Sequence, residues 1–269
     1  MRDLLEVAKR AASTASDLLR NAHAEDIRSK SNQFDLVTEW DLRSEEAIRR
    51  VLADTHIPVL GEEMGTLSPS STPAGDLRWV VDPIDGTVNF SHGLPIWSIS
   101  IALERVLPDG SPTRGESLLG VVAAPALGWS VSAIRGEGAF DDRGTPLRVS
   151  SRAQLSKSML ATGFPYDAAT NPANNFAEWD HFQRLTNACR RLGCASIDLC
   201  LVARGFYDGY WERRLSPWDL AAGALFVVEA GGTVTNTQGG PFDAHSGEAA
   251  ATNGAIHGEL LSELARVRS

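Results

Sequence analysis

The sequence is poor in cysteine, lacks a long uninterrupted hydrophobic stretch and begins without the apolar core of a signal peptide. Three cysteines occur in 269 residues, and an odd number in a chain of this size does not indicate a disulfide framework. The longest weakly polar stretch, residues 118–129, contains Gly120, Pro125 and Gly128 and is too short to span a bilayer. The sequence therefore predicts a cytoplasmic protein with three reduced, mostly buried thiols and no membrane partner.

Basic residues are also in short supply. Lys and Arg number 25 against 34 Asp and Glu, which gives a formal net charge of −9. Sequence-independent duplex binding depends on clustered Lys and Arg, so the charge balance predicts no nucleic-acid partner. A phosphate-bearing small molecule is still compatible with this balance, because a bound cation can reverse the local charge.

Several motifs of phosphate and metal chemistry are missing. The sequence contains no G-x-x-x-x-G-K-[ST] of a P-loop, and no cysteine is followed six residues later by arginine. It also contains no H-E-x-x-H, and its cysteines lack the paired C-x-x-C spacing of zinc sites. These absences argue against a P-loop enzyme, a cysteine-based phosphatase and a soft-metal site.

Hydrophobic periodicity divides the chain near residue 150. Residues 1–150 are predicted to be an α+β unit in which two helices, 3–22 and 42–52, pack on an antiparallel sheet with strands at 98–103, 118–124 and 129–133. Residues 66–76, rich in Ser, Thr, Pro and Gly, are predicted to be a loop. Residues 151–269 are predicted to be an α/β unit, with strands at 158–162 and 207–211 and helices at 174–190, 195–203, 217–230 and 256–267.

Carboxylates recur beside residues that bend or stiffen the chain. Asp82 follows a strand-like stretch and precedes Pro83, so a turn there can cancel the strand alternation and aim Asp82 and Asp85 at one point. Glu62 follows an apolar stretch, and Asp219 opens a helix. Such oxygen-only sets suit Mg²⁺ or Mn²⁺. The alternative is that each acid is a turn former or a helix cap, which for Asp219 alone is an ordinary role.

Seven segments together resemble one family. Three segments carry the carboxylates: GEE at 61–63, WVVDPIDGTVNF at 79–90 and WDLAAG at 218–223. Four more match the same family in order and spacing: KSNQFDLVTEWD at 30–41, GFPYD at 163–167, DGYWE at 208–212 and GGPFD at 239–243. On these residues the sequence resembles the inositol monophosphatase family of Mg²⁺-dependent, lithium-sensitive phosphatases. The resemblance implies a layered αβαβα sandwich with alternating helix and sheet layers, similar to fructose-1,6-bisphosphatase. It also implies a homodimer and a small-molecule phosphomonoester substrate.

The resemblance assigns roles to individual residues. It implies two or three Mg²⁺ ions per active site, with Mn²⁺ as an alternative, and a metal-activated water as the nucleophile. The metal ligands would be Glu62, Asp82, the Ile84 carbonyl, Asp85 and Asp219, with Asp82 bridging two ions. The residues that orient the water would be Glu62, Thr87 and Asp41. The phosphate would bind the amides of Gly86 and Thr87, and the alcohol would contact Ala195 and Glu212. Most ligands thus fall in residues 1–150, and the last ligand and the alcohol contacts fall in residues 151–269.

Some residues keep alternative interpretations. Relatives more often carry Ser or Thr where this chain has Cys194, which leaves the metal ligands intact but could alter substrate preference. The resemblance gives Glu63 and Lys30 no definite role. Glu212 could instead be a surface acid that is paired with the neighbouring Arg213 or Arg214.

Two further functions compete with inositol monophosphatase activity. A sister phosphatase would act on histidinol phosphate, fructose 1,6-bisphosphate or 3′-phosphoadenosine 5′-phosphate. Nucleotide-acting relatives tend to carry Lys two residues after the Gly of the D-G-T motif, whereas this chain has Val88 there, which favours a polyol phosphate. A non-catalytic binding protein on the same scaffold is disfavoured, because no expected ligand has been replaced. The physiological substrate and pathway stay open.

Overall fold

A computed structural model of the protein describes residues 1–20, 22, 27–29, 36–65, 76–107, 114–172 and 174–268. Lys30 and residues 66–75 of the predicted loop lie outside the described residues. The helices of the described part are α1 (Arg2–Leu19), α2 (Glu39–Leu52), α3 (Thr87–Ser91), α4 (Phe176–Leu185), α5 (Ala195–Ala203), α6 (Pro217–Glu229) and α7 (His257–Arg268). None of these helices is long and apolar enough to cross a membrane.

The strands of the described part form two large sheets and one two-stranded ribbon. They are β1 (Ile27–Ser29), β2 (Leu36–Thr38), β3 (Val59–Gly61), β4 (Leu77–Asp85), β5 (Ser98–Val106), β6 (Gly115–Ala124), β7 (Trp129–Ile134), β8 (Gly138–Asp141), β9 (Met159–Thr162), β10 (Ala188–Arg190), β11 (Gly209–Arg213), β12 (Thr233–Thr235) and β13 (Glu248–Thr252). One sheet has the order β3-β4-β5-β6-β7-β8 and the other the order β10-β9-β11-β13-β12, while β1 pairs with β2.

The six-stranded sheet differs from the predicted antiparallel sheet at one edge. Adjacent strands of this sheet are antiparallel from β4 to β8, but β3 runs parallel to β4. A parallel pair needs a crossover of about a dozen residues or more, and residues 62–76 are long enough to provide one.

Alternation along the strands builds a five-layer αβαβα sandwich. On β4, Trp79 and Val81 pack in one cluster with α1 and α2, whereas Val80 packs in another with α5 and α6. The five-stranded sheet divides in the same way, since Tyr210 of β11 packs towards α5 and α6 and Trp211 towards α4 and α7. Helices α5 and α6 are therefore covered by a sheet on each side, and the predicted layered fold is confirmed.

Several predicted helices differ in their bounds, among them α1, which ends at Leu19 rather than at residue 22. Helix α2 begins at Glu39 rather than at residue 42, because Thr38 and Asp41 form a capping box there. The predicted helix over residues 174–190 is wrong in its last part, where α4 ends at Leu185 and a strand follows. Thr186 adopts an extended backbone, and β10 pairs with β9 and buries Cys189. The pairing with a neighbouring strand overrides the local helical pattern.

The predicted division near residue 150 stays a prediction. One cluster of buried side chains combines both parts of the chain, for example Val122 of β6 with Phe226 of α6. Gly120 allows the helix to approach, because a Cβ at that position would lie 3.1 Å from the Cα of Ala222. The three cysteines are free and buried, as predicted.

A buried ion pair joins two adjacent strands of the six-stranded sheet. Arg78 on β4 and Glu104 on β5 are opposite each other in the register, and both side chains are buried. Nη2 of Arg78 lies 3.1 Å from Oε2 of Glu104, and Nε2 of His245 lies 2.9 Å from the same oxygen. Because a buried charge is costly once its partner is removed, the pair constrains how these strands can pack.

We expect Glu104→Ala to destabilise the protein strongly, because Arg78 would stay buried without its carboxylate. The free energy of unfolding should fall by about 3–5 kcal/mol, as measured by urea denaturation at pH 7. Glu46→Ala is the matched control, since Glu46 pairs with Arg50 on the surface and surface pairs contribute little. Equal losses of stability in the two variants would contradict this prediction.

Candidate active site and metal centre

Three aspartates meet at one point of the structure. One carboxylate oxygen of each of Asp82, Asp85 and Asp219 lies within 4.8 Å of the other two. The register between β4 and β5 shifts there, since Asp82 is opposite Ser100 and Asp85 is opposite Ser98. The extra residue on β4 is a bulge, which returns Asp85 to the side of Asp82. The first turn of α6 delivers Asp219 to the same point.

Backbone and hydroxyl donors hold each of these carboxylates. Asp82 Oδ1 accepts the backbone N–H of Ile84 at 3.0 Å. Asp85 Oδ2 accepts the N–H and the hydroxyl of Ser196, at the start of α5, at 2.7 and 2.6 Å. Asp219 Oδ2 accepts the N–H of Ser216 at 2.7 Å, within the capping box that begins α6. These bonds fix the directions of the carboxylates without neutralising their charge.

The electrostatics of the cluster favour a bound cation. Burial raises the pKa of Asp82 well above its usual value, and the charges of Glu62, Asp85 and Asp219 raise that pKa further. Loss of solvent, followed by the charges of Asp85 and Glu62, also raises the pKa of Asp219. Closely spaced oxygen donors with uncompensated charge are a set that fits Mg²⁺ or Mn²⁺.

Two more of the predicted ligands lie beside the aspartates. Glu62 follows β3 and lines the same cleft as Asp85, and its backbone N–H donates to the Val81 carbonyl at 3.2 Å. The carbonyl oxygen of Ile84 lies 3.0 Å from the Thr87 hydroxyl oxygen, while the Ile84 side chain is buried in the core. The fold thus brings the five predicted ligands into one region, and their roles as ligands stay predictions.

The predicted pairing of Thr87 with Asp41 takes the form of a buried hydrogen bond. Thr87 Oγ1 donates to Asp41 Oδ1 at 2.9 Å, while Asp41 Oδ2 accepts the N–H and the hydroxyl of Thr38. Gly86 precedes Thr87 with a φ of 89°, a left-handed conformation that favours glycine. A Cβ there would also lie 3.2 Å from the carbonyl oxygen of Gly193. The turn before α3 therefore requires glycine.

One cleft, lined by Asp85 and Asp219, is also lined by the residues that are predicted to bind the alcohol. Ala195 at the start of α5 and Glu212 on β11 both line it. Tyr210 donates its hydroxyl to Glu212 Oε2 at 2.7 Å, and Gly163 leaves room for this carboxylate, since a Cβ there would lie 2.1 Å from Oε1. Burial raises the pKa of Glu212 to about 7, against the opposing effects of that hydrogen bond and of Arg191.

Comparison with known proteins identifies the family. The sequence profile of the inositol monophosphatase family matches residues 1–269. The chain belongs to this family. It is 42% identical to an inositol-1-monophosphatase of Synechocystis sp., over 89% of this chain and 80% of the relative. It is 36% identical to the Nus factor SuhB of Pasteurella multocida, over 98% and 96% of the two chains. The structure of an inositol monophosphatase from Anabaena (Nostoc) sp. matches with a TM-score of 0.85 and 35% identity, over 98% and 96%.

In this inositol monophosphatase family member, the surroundings of Glu212 decide between its two interpretations. Arg213 pairs with Glu178 at 2.7 Å, and Arg214 pairs with Asp167 at 2.8 Å. Glu212 itself is only 8% exposed and lines the cleft. The alternative of a surface acid paired with either arginine is therefore wrong.

The sequence interpretation missed several groups that support the family's site. Thr38 and Ser216 each begin a helix three residues before a site aspartate, in T-E-W-D and S-P-W-D. The spacing [ST]-x-x-[DE] is a local signal of a capping box, so these two could have been found. Ser196 is 111 residues from Asp85 in the sequence, so no local sequence pattern indicates that the two residues form a hydrogen bond. Arg191 and residues 163–166 also line the cleft; residues 163–166 belong to the GFPYD segment of the family resemblance, which gave them no individual role.

Cys194 lies in the wall of the cleft, next to Asp85. Its Sγ is 3.3 Å from Ser98 Oγ and 3.4 Å from the backbone oxygen of Asp85, and burial raises its pKa well above the usual value. A buried protonated thiol is chemically quiet. Its effect on substrate preference stays a prediction, as does any role of the Glu63 side chain.

We expect Asp82→Asn to stabilise the metal-free protein, because it removes one of the charges that repel each other. The melting temperature in EDTA should rise by about 2–4 °C, which corresponds to about 1 kcal/mol for a chain of this size. The variant should also lose most of the stabilisation that Mg²⁺ gives the wild type. Calorimetry with and without Mg²⁺ measures both effects. Asp17→Asn, at an exposed position of α1, is the control, and the same response in both variants would contradict this account.

Proposed function

We propose that this protein is a Mg²⁺-dependent phosphomonoester hydrolase that removes phosphate from myo-inositol monophosphate or a similar polyol phosphate. The observation that carries the proposal is the group of three aspartates with oxygens within 4.8 Å of one another, two of which, Asp85 and Asp219, line the same cleft as Glu212. Membership of the inositol monophosphatase family supports phosphatase activity. Phosphoryl transfer depends on charge neutralisation and positioning more than on covalent chemistry, so no nucleophilic side chain is required.

The metal site of the proposal consists of oxygen donors from three parts of the chain. Two or three Mg²⁺ ions, or Mn²⁺ in their place, would be held by Glu62, Asp82, the Ile84 carbonyl, Asp85 and Asp219. Bound metal supplies charge neutralisation for the phosphoryl group and lowers the pKa of a water molecule. The chain's own contribution is to hold these donors rigidly, through the β4 bulge and the first turn of α6.

The attacking water would be oriented by Thr87 with Asp41 and Glu62. Because Thr87 Oγ1 donates its hydrogen to the buried carboxylate of Asp41, its lone pairs are left to accept a hydrogen bond from a water. The same carboxylate caps α2, so the hydroxyl is held by a helix rather than by a mobile side chain.

The substrate would be bound at both of its ends. The backbone N–H groups of Gly86 and Thr87 would donate to the phosphate, while Glu212 accepts hydrogen bonds from the hydroxyls of the alcohol and Ala195 packs beside it. A charge-assisted hydrogen bond is stronger than a neutral one, so Glu212 favours a leaving group that is rich in hydroxyls.

A substrate panel separates this proposal from its alternatives. With Mg²⁺ present, inositol monophosphate should be hydrolysed faster than histidinol phosphate, fructose 1,6-bisphosphate or 3′-phosphoadenosine 5′-phosphate. Preference for one of those three would assign the protein to a sister activity, with Cys194 as the first residue to exchange for Ser. No hydrolysis of any of them would favour a non-catalytic binding protein on the same scaffold.

The remaining expectations concern location, partners and inhibition. We infer a cytoplasmic homodimer without a nucleic-acid partner, and inhibition by lithium at the site of Asp82, Asp85 and Asp219. Light scattering of the purified protein measures the dimer. Since one relative is named a Nus factor, a gel-shift assay with RNA is the direct test of the predicted absence of nucleic-acid binding.

We expect Asp82→Asn to reduce kcat by about three orders of magnitude or more, because the substitution removes charge from the centre of the metal site. This loss corresponds to roughly 4 kcal/mol of activation free energy. Phosphate release at saturating substrate and Mg²⁺ measures it, with Asp17→Asn as the unaffected control. Near wild-type turnover of Asp82→Asn would show that the metal site is wrongly assigned.

We expect Glu212→Gln to weaken catalysis selectively on polyol phosphates. At pH 8, above its pKa of about 7, Glu212 is ionised, and the loss of its charge-assisted bonds should lower kcat/KM on inositol monophosphate by roughly tenfold or more. An aryl phosphate offers no hydroxyls, so its kcat/KM should hardly change. Equal losses on the two substrates would exclude a direct contact between Glu212 and the alcohol.

A further inference from the structure

Helix α2 carries a carboxylate that the proposed reaction does not use. Glu45 is completely buried, and the chain makes it an acceptor of backbone hydrogen bonds. Its Oε2 accepts the N–H of Glu63 at 2.7 Å, and its two oxygens accept the N–H of Met64 at 3.2 and 3.3 Å. Arg49 Nε donates to its Oε1 at 2.7 Å. A buried carboxylate is costly unless its oxygens accept hydrogen bonds. Besides Arg49, the donors to Glu45 are the backbone N–H groups of the two residues that follow Glu62.

The end of β3 is shaped around this carboxylate. A Cβ at Gly61 would lie 2.2 Å from Oε1 and 2.8 Å from Oε2 of Glu45. Gly61 has an ordinary backbone conformation, because it is not among the residues with positive φ. The glycine is therefore required by the space that the carboxylate occupies and not by backbone strain.

The same face of α2 reaches the other ligand-bearing segment. Residues 41, 44, 45 and 48 lie on one face by helical spacing, and all four are buried. Ser44 donates its hydroxyl to the Pro83 carbonyl at 2.9 Å, inside the bulge between Asp82 and Asp85. One rigid helix thus contacts both the segment that begins at Glu62 and the bulge of β4.

We propose that Glu45 is a positioning residue that fixes the backbone of residues 62–64 and thereby sets the affinity of the site for Mg²⁺. This inference rests on the proposed function, in which Glu62 is a metal ligand. A glutamine at this position has one oxygen and one NH₂ group, so an N–H donor of the chain would face an amide donor. The segment after β3 would then shift, and Glu62 would shift with it relative to the aspartates.

The test compares Glu45→Gln with Glu46→Gln in the full-length protein. Glu46 is the adjacent residue and pairs with Arg50 on the exposed side of α2, so its variant should behave as the wild type. For Glu45→Gln we expect the Mg²⁺ concentration of half-maximal activity to rise about 10–100-fold, the usual effect of losing an outer hydrogen-bond partner of a metal site. The kcat at saturating Mg²⁺ should be largely retained. Titration of the melting temperature with Mg²⁺ should give the same shift without any measurement of activity.

Gly61→Ala provides an independent variant, because it keeps the charge of Glu45 and displaces its carboxylate by steric contact. It should reproduce the loss of Mg²⁺ affinity, and it keeps the inference testable if Glu45→Gln does not fold. Wild-type Mg²⁺ affinity in either folded variant would overturn the inference, as would a loss of kcat at unchanged Mg²⁺ affinity. A wild-type protein that neither binds Mg²⁺ nor releases phosphate would instead overturn the proposed function, and the inference with it.

Discussion

The repulsion between closely spaced carboxylates is the constraint on which the rest of the site depends. Asp82, Asp85 and Asp219 are held with oxygens within 4.8 Å, and burial and mutual charge raise the pKa of Asp82 and Asp219. Such a cluster persists only if the surrounding fold is stable enough to impose it. The hydrogen bonds around it come mainly from backbone N–H groups and hydroxyls, which orient the carboxylates and leave their charge for a cation.

Helix starts are the recurring device by which the chain positions its acids. Asp41 and Asp219 each occupy the third position of a helix, in the capping boxes begun by Thr38 and Ser216. Asp85 accepts the N–H of Ser196 at the start of a third helix. The acids thus stabilise helix ends, where negative charge is favourable, and the helices in turn hold the acids. Local folding and site geometry are satisfied by the same hydrogen bonds.

The sequence predicted the segments of this site better than it predicted their supports. Asp82 and Asp85 are three residues apart, and Pro83 with the strand before it predicted that they converge at a turn. They do converge, but through a bulge inside β4, which continues to Asp85. Tyr210 lies two residues before Glu212 on the same face of β11, so strand alternation could have indicated their contact. Ser196 binds Asp85 through a contact that tertiary packing creates, and periodicity carries no signal for such a contact. The error at β10 has a similar cause, because a three-residue strand is defined by the neighbour that it pairs with. The layered arrangement followed from the family resemblance rather than from the strand and helix patterns alone.

The position of α6 ties the site to the cooperative core of the protein. This helix is covered by a sheet on each side, most of its residues from Leu220 to Val227 are fully buried, and its first turn carries Asp219. Elements with such burial exchange their amide hydrogens only when the whole domain opens. Residues 164–166 of the cleft are less buried. Substrate preference can therefore drift through changes at this rim, while the geometry of the acids survives for as long as the domain stays folded.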